Sequence, residues 1–375
     1  MNTLISLTDA FIAIPDPRID RAKKHKLSDI IMIALCATMC GMDGWEEIEV
    51  FAEKREEWFR RFLELPNGIP SHDTMNRVFS RINPKELNSA LIKWTNSLNK
   101  TVEGKIVAID GKTLCHSFDG ATGKSALHVV SAWVEENNLV LGQVAAEGKG
   151  HEITQISELL RLIELESAIV TIDAIGCQKE ITRILREENK ADYVIALKSN
   201  QQNLHSEVTY FFNIAAKSGD LFTDFFESVE KGHGRIEQRQ CTCIDAENYL
   251  DHVSAGFKDL KTIVKMHSTR EVNGKIEEQS RYFISSLPCD ARLAAHAIRT
   301  HWSIENSLHW RLDMTFREDG SRIRKDHAPE NMALIRRMAA GLVKSRLPQK
   351  MTVKRAQLLM TLDWDFAMEH FFSNS

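Results

Sequence analysis

The sequence predicts an α/β protein: a mixed five-stranded sheet flanked by helices, preceded by a helical region and interrupted by a β-rich insertion ahead of a last helical segment. Three observations predict it. Short runs rich in Val and Ile, Ile106 to Ile109 and Ile169 to Ile172, stand mid-chain and each ends abruptly in an aspartate. Apolar residues recur at helical spacing through the first hundred residues and again after Pro288. Between about 219 and 285 the chain turns polar and extended around turn residues.

At 375 residues, 43% hydrophobic and 27% charged, the chain can bury a full core in two or three domains, so disorder is not the starting assumption. A net charge of −4 neither demands nor forbids a nucleic-acid partner, which leaves the distribution of charge to decide. The N-terminus lacks a signal layout, and the longest largely apolar stretch, Ile30 to Met42, is too short to cross a bilayer. The expectation is a cytoplasmic protein without a membrane partner. Cysteines at 36, 40, 115, 177, 241, 243 and 289 form neither a disulfide framework nor a paired zinc knuckle and read as reduced core thiols.

Residues 1–100 form the helical N-terminal domain. After a basic arm (Arg18, Arg21, Lys23, Lys24, Lys26), Ser28 is placed to cap a helix through Ile30 to Met42 that ends at Gly41 or Gly44. Trp45 to Phe62 reads as one amphipathic helix. Next, Ser71 or Asp73 caps a short helix with Met75, Val78, Phe79 and Ile82 as its apolar stripe and Pro84 as its stop, leaving Asn76, Arg77, Ser80 and Arg81 facing out. That polarity suits a helix in a DNA groove, with Arg77 and Arg81 as contacts, and equally a solvated packing helix.

Residues 104–218 change to strands. Ile106 to Ile109 is the first; Leu127 to Val134 and Leu139 to Ala145 form a hairpin around Glu135-Glu136-Asn137-Asn138. A helix over Glu152 to Ile163, a strand over Ile169 to Ile172, a helix over Lys179 to Glu188 and a strand over Tyr193 to Leu197 follow. Three meandering strands, then helix, strand, helix, strand, is the order of an RNase H-like sheet, in which the first and fourth strands are neighbours. Asp110 and Asp173 then meet at one edge. Singly, each reads as a turn residue bonding its own backbone two positions on; as a pair at the ends of buried strands, they suit a shared divalent metal.

Residues 219–287 are the β-rich insertion, whose Asn273-Gly274 is a strong hairpin signal. It carries His233 and Arg235, placed to meet phosphates or to form an ordinary charged turn. Residues 288–375 are helical and basic: from Arg311 to Arg355 there are twelve Lys or Arg against five acids, Arg322, Arg324 and Lys325 among them. So uneven a block beside carboxylates suits a polyanion. Ala291 to Phe316 reads as one long helix with Glu305 among Trp302, Ile304, Leu308 and Trp310, an environment that calls for a cationic partner. His301, Glu305 and His309 share a helix face that could instead hold zinc, as a zinc enzyme would require.

AIDGKTL, GHEITQISELL, VTIDAIGCQKEI, ADYVIALKSNQ and HWSIENSLHWRLDMTF, in this order, resemble the H-repeat-associated transposases of bacterial insertion sequences, a DDE family with the RNase H-like fold. PDPRIDRAKKHKLSDIIMIALCATMCG and IPSHDTMNRVFSRINP are similar to that family's N-terminal domain, so the likeness covers nearly the whole chain. It implies an acidic triad of Asp110, Asp173 and Glu305 holding Mg²⁺ or Mn²⁺, cleavage of element ends, and joining to target DNA. It also implies double-stranded DNA, terminal inverted repeats and target DNA as partners, a dimer on paired ends, and a place at the nucleoid. The Tyr, Arg, Glu, Lys signature of related transposases is unmatched, its positions holding Ile298, His301 and Leu312 around the glutamate, although Arg299 and Arg311 stand close by. Lys112, Lys198, His301 and Arg311 join the expected DNA contacts. A DNA-binding remnant without cleavage and a structure-specific nuclease of the same fold are the competing readings.

Overall fold

Nine strands hydrogen-bond into one sheet where five were expected. They are β1 (Ile106–Thr113), β2 (Leu127–Val134), β3 (Leu139–Glu147), β4 (Ile169–Ile172), β5 (Asp192–Leu197), β6 (Thr223–Gly232), β7 (Arg235–Asp245), β8 (Thr262–Val272) and β9 (Lys275–Ser285), in the order β3-β2-β1-β4-β5-β9-β8-β7-β6. This computed structural model describes residues 3–98, 102–118, 123, 125–218, 222–232, 234–247 and 256–372. The chain divides into two compact units, one of residues 1–100, 111–155 and 305–375, the other of residues 101–110 and 156–304. The expected boundaries followed chain order, whereas each unit gathers segments distant in sequence.

In the second unit, β4 runs parallel to the first part of β1 and to β5, so each connection must cross over, as the intervening helices allow. The correction to five strands has a physical cause: β5 would otherwise present an edge of unpaired backbone groups. Strand β9 covers that edge antiparallel, Val194 opposite Ser285 and Leu197 opposite Tyr282, and β8, β7 and β6 continue the ladder. Strand β8 runs unbroken from Thr262 to Val272. The β8–β9 turn falls on Asn273-Gly274, with φ of 51° and 75°, the left-handed pair that a tight hairpin requires. Helix Ala291–Ser303, capped by the Asp290 side chain on Leu293 N, lays Ala291, Ala294, Ala297 and Ile298 on Ile169, Val194, Cys241, Val264 and Phe283.

In the first unit, the Leu27–Met39 helix is buried along its length and packs on the Ala328–Ser345 helix. It starts after Lys26, so Ser28 lies inside the helix and does not cap it. Its end is closed by Gly41 N on Thr38 O and Met42 N on Ala37 O, both 3.0 Å, as expected near Gly41. The expected helix over 45–62 is two, Trp45–Lys54 and Glu56–Phe59, broken where Arg55 leaves helical φ at −121°. Helix His72–Phe79 is capped by the Ser71 hydroxyl and buries Met75, Val78, Phe79 and Ile82 fully. Ser80 is buried too, its hydroxyl donating to Arg77 O, and Pro84 opens the next helix, Pro84–Leu98, where its missing N–H costs nothing.

Among the described residues no helix is long and apolar enough to cross a membrane. Five of the seven cysteines are buried; Cys115 is exposed and Cys289 half-buried, so the expected core role fails for those two.

Candidate active site

Four buried residues in β1 and four in β4 pair from Ile106 opposite Ile169 to Ile109 opposite Ile172. Asp110, inside β1, and Asp173, one residue past β4, directly follow the paired runs and are both half-buried, on strands spaced about 4.8 Å apart. Asp173 is also the turn residue of the alternative reading: its Oδ1 accepts from Ile175 N at 3.1 Å and caps the Ala174–Gly176 turn. Lys198 is exposed just past β5, and Asn200 Nδ2 donates to Ala174 O at 2.6 Å, tying the two strand-end loops together. Carboxylate oxygens are hard donors, which suit Mg²⁺ or Mn²⁺ better than a soft metal. Among the described residues no group of three or more His, Cys, Asp or Glu is arranged to hold a metal ion, and that applies alike to the expected triad of Asp110, Asp173 and Glu305 and to the row of His301, Glu305 and His309.

The residue after Asp110 is glycine for a steric reason. A Cβ on Gly111 would lie 2.4 Å from His128 Nε2 and 2.7 Å from Glu152 Oε1. Both side chains are buried, with His128 Nδ1 3.0 Å from the Thr113 hydroxyl, Nε2 3.4 Å from Glu152 Oε2, and the His128 carbonyl accepting from Gln155 Nε2 at 2.9 Å. Neither can swing away. Gly111→Ala is expected to lower stability by roughly 1–3 kcal/mol, the range for forcing a methyl into a packed interior, as urea denaturation would measure. A change within experimental error would mean that this wall is soft.

The helix expected over 291–316 runs without a gap from 291 to 314, α-helical over Ala291–Ser303 and Trp310–Met314 with a wider π-turn, Ile304–His309, between them. Ile304, Leu308, Leu312 and Phe316 are buried. Glu305 is exposed, so no cation is needed to offset its burial, contrary to the sequence expectation; Ile304 and Leu308 turn inward, while Trp302 and Trp310 are exposed like the carboxylate. A π-turn carrying a polar residue is a frequent device of functional sites. His301 is not presented as a phosphate contact: its Nδ1 lies 3.0 Å from the Thr171 hydroxyl, and burial pulls its pKa down to about 4, which keeps the ring neutral near pH 7. Arg311 is buried with its Nη1 unbonded, and desolvation lowers its pKa.

Lys112 overturns its expected role as a free phosphate contact. It is 8% exposed, with Nζ 2.7 Å from Asp313, 2.8 Å from Asp319 and 3.6 Å from Glu318. Burial pulls its pKa down, but the charge of Glu318 and the hydrogen bonds to Asp313 and Asp319 outweigh that and hold it above the ordinary lysine value. Glu318, itself buried, is paired through Oε1 with Arg337 Nη1 at 2.7 Å. Sequence reasoning missed this cluster; the one signal for it was Glu318-Asp319 standing inside an otherwise basic block.

The basic block is therefore not uniformly a surface track, since Arg311, Arg336 and Arg337 lie inside. Arg322 and Lys325 are exposed; Arg324 is half-buried, donating to His116 O at 2.9 Å and stacking over Phe118. Arg77 and Arg81 are exposed beside their helix, and Arg235 is exposed with Glu237 at 3.2 Å. His233 lies outside the described residues.

The family described as Transposase DDE domain matches residues 102–342, and one described as DDE_Tnp_1-associated matches residues 8–95. The chain is 41% identical over 364 residues to "Putative transposase YncI" of Escherichia coli O157:H7, covering 96% of this chain and 92% of that one. It is 34% identical over 367 residues to "H repeat-associated putative transposase YhhI" of Escherichia coli K12, covering 97% of each. A 67-residue stretch, 18% of the chain, is 43% identical to "Inactive transposase YbfQ" of the same strain and covers 80% of that protein.

Proposed function

Because the chain belongs to the Transposase DDE domain family and its relatives include H-repeat-associated members, we propose that it cuts the ends of an insertion sequence and joins them to target DNA, using Asp110, Asp173 and Glu305. The observation that supports this reading is the parallel register of β1 and β4, whose last pair, Ile109 opposite Ile172, immediately precedes Asp110 and Asp173. With its sheet extended by the insertion, the fold is read as RNase H-like. The domain reading stays as the sequence has it, with the DNA-binding role in the N-terminal helices and chemistry at the strand ends.

Asp110 and Asp173 would hold the divalent ion, and Glu305, on an exposed turn, would supply the third carboxylate. Divalent ions, Mg²⁺ or Mn²⁺, supply activation of the attacking oxygen and stabilisation of the leaving one when bound. Lys198 is exposed beside the paired aspartates and neutralises a phosphate there. The exposed Arg77, Arg81, Arg235, Arg322 and Lys325 contact the DNA backbone, the half-buried Arg324 adds to the grip, and two chains act on paired ends, while the buried Arg311 has no part in the contact.

The test uses the full chain and a duplex bearing the inverted repeats that bracket its gene, with Mg²⁺ or Mn²⁺. Nicks at the repeat ends followed by joining to a second duplex are expected. Binding without any cut in either ion would favour a non-cleaving remnant, and cutting without joining would favour a structure-specific nuclease.

A further inference from the structure

Lys112 and its partners form a buried ion cluster whose value to stability is doubtful on general grounds, because desolvating the charges cancels most of their attraction. Such clusters are better at fixing register than at adding stability. Here the register involved is specific. Lys112 follows Asp110 by two residues in β1, on the same face of the strand, and its partner Asp313 follows Glu305 by eight. Asp319 holds the ammonium from a second side at 2.8 Å, and the backbone carbonyl of Asp319 is bonded by the His116 ring just beyond β1. Glu318 passes the tie to Arg337, which is wholly buried and donates to the Ser131 hydroxyl of β2 at 3.0 Å.

We propose that Lys112 is a positioning residue: through Asp313, Asp319 and the Glu318–Arg337 pair it clamps the segment following Glu305 to the strand that carries Asp110. The proposal rests on the reading of Asp110, Asp173 and Glu305 as the reacting carboxylates. It differs from a phosphate contact in what it predicts. A lysine that neutralises a phosphate contributes to affinity and to its salt dependence, about 0.9 in the slope of log K against log salt. A buried clamp leaves both unchanged and acts on the rate, since a misplacement of about 1 Å costs on the order of a hundredfold.

The experiment compares Lys112→Gln, Lys112→Arg and Asp319→Asn in the full chain, measuring end binding across a salt series and single-turnover cleavage with Mg²⁺. Expected are unchanged affinity and salt slope, a cleavage rate lowered ten- to a hundredfold in Lys112→Gln and Asp319→Asn, and partial recovery in Lys112→Arg. Val343→Ala, a buried truncation on the Ala328–Ser345 helix away from the cluster, serves as a control for stability loss alone and is expected to cut at the normal rate. Should Lys112→Gln not fold, the milder Asp319→Asn carries the test. The clamp is overturned by normal cleavage in these variants, or by a loss of binding that accounts for the whole loss of rate. Asp173→Asn separates the two levels: if it cuts normally, the reading of the triad fails; if it is inactive while Lys112→Gln cuts normally, the clamp alone fails.

Discussion

Asp173→Asn is expected to reduce cleavage of end-bearing DNA by about a thousandfold or more, roughly 4 kcal/mol of barrier, while leaving end binding and folding intact. The asymmetry follows from what the carboxylate does in the structure. One of its oxygens caps the turn after β4 by accepting from Ile175 N at 3.1 Å, and an amide carbonyl can accept that bond equally well. Asparagine keeps the size and the cap and removes the charge that a divalent ion needs. Melting temperature should therefore be unchanged. A variant that melts normally and still cuts at a comparable rate would remove Asp173 from the chemistry and leave it as the turn residue that its sequence context also allows.

Local pattern carried the sequence a long way where one face of an element decides its fate. The apolar runs before Asp110 and Asp173 were legible because both faces of a parallel strand are buried, which leaves an unbroken apolar stretch; the end of the first strand was not, since β1 continues past Asp110 to Thr113. Asn273-Gly274 was legible because a tight hairpin needs two positive φ values. What was not legible depended on partners distant in the chain. Nothing in β5 states that its open edge will be covered by β9, and nothing in the sequence around Lys112 states that three acids from beyond residue 312 will enclose it. Arg336 and Arg337 were counted with a solvated basic block because a charged pair normally faces water; here each finds a partner inside, Asp43 for the first and Glu318 for the second. The exposure of Glu305 is not legible for a related reason: Ile304 and Leu308 mark the buried side of its turn, but Trp302 and Trp310 are apolar residues that stay exposed beside the carboxylate.

Arg337→Met is expected to cost about 3–5 kcal/mol of stability, the range for breaking a buried ion pair by removing one member. Arg337 is fully enclosed; its Nη1 bonds Glu318 at 2.7 Å and the Ala333 carbonyl at 3.1 Å, and its Nε bonds Ser131 at 3.0 Å. Methionine fills much of the same space, so the loss is chiefly electrostatic: Glu318, 3% exposed, keeps only Lys112, at 3.6 Å, as a counter-charge among the described residues. The decisive comparison is with Arg337→Met combined with Glu318→Leu, which removes both charges and leaves apolar groups of similar volume. Urea denaturation should show the double variant regaining much of the stability lost by the single one, with an unchanged m-value. If the double variant is as unstable as the single, the pair is held for its hydrogen bonds to Ser131 and Ala333, and the penalty lies in those unsatisfied groups. If the single variant loses less than about 1 kcal/mol, Glu318 must take up a proton or reach water without Arg337, and the cluster around Lys112 is looser than the distances imply.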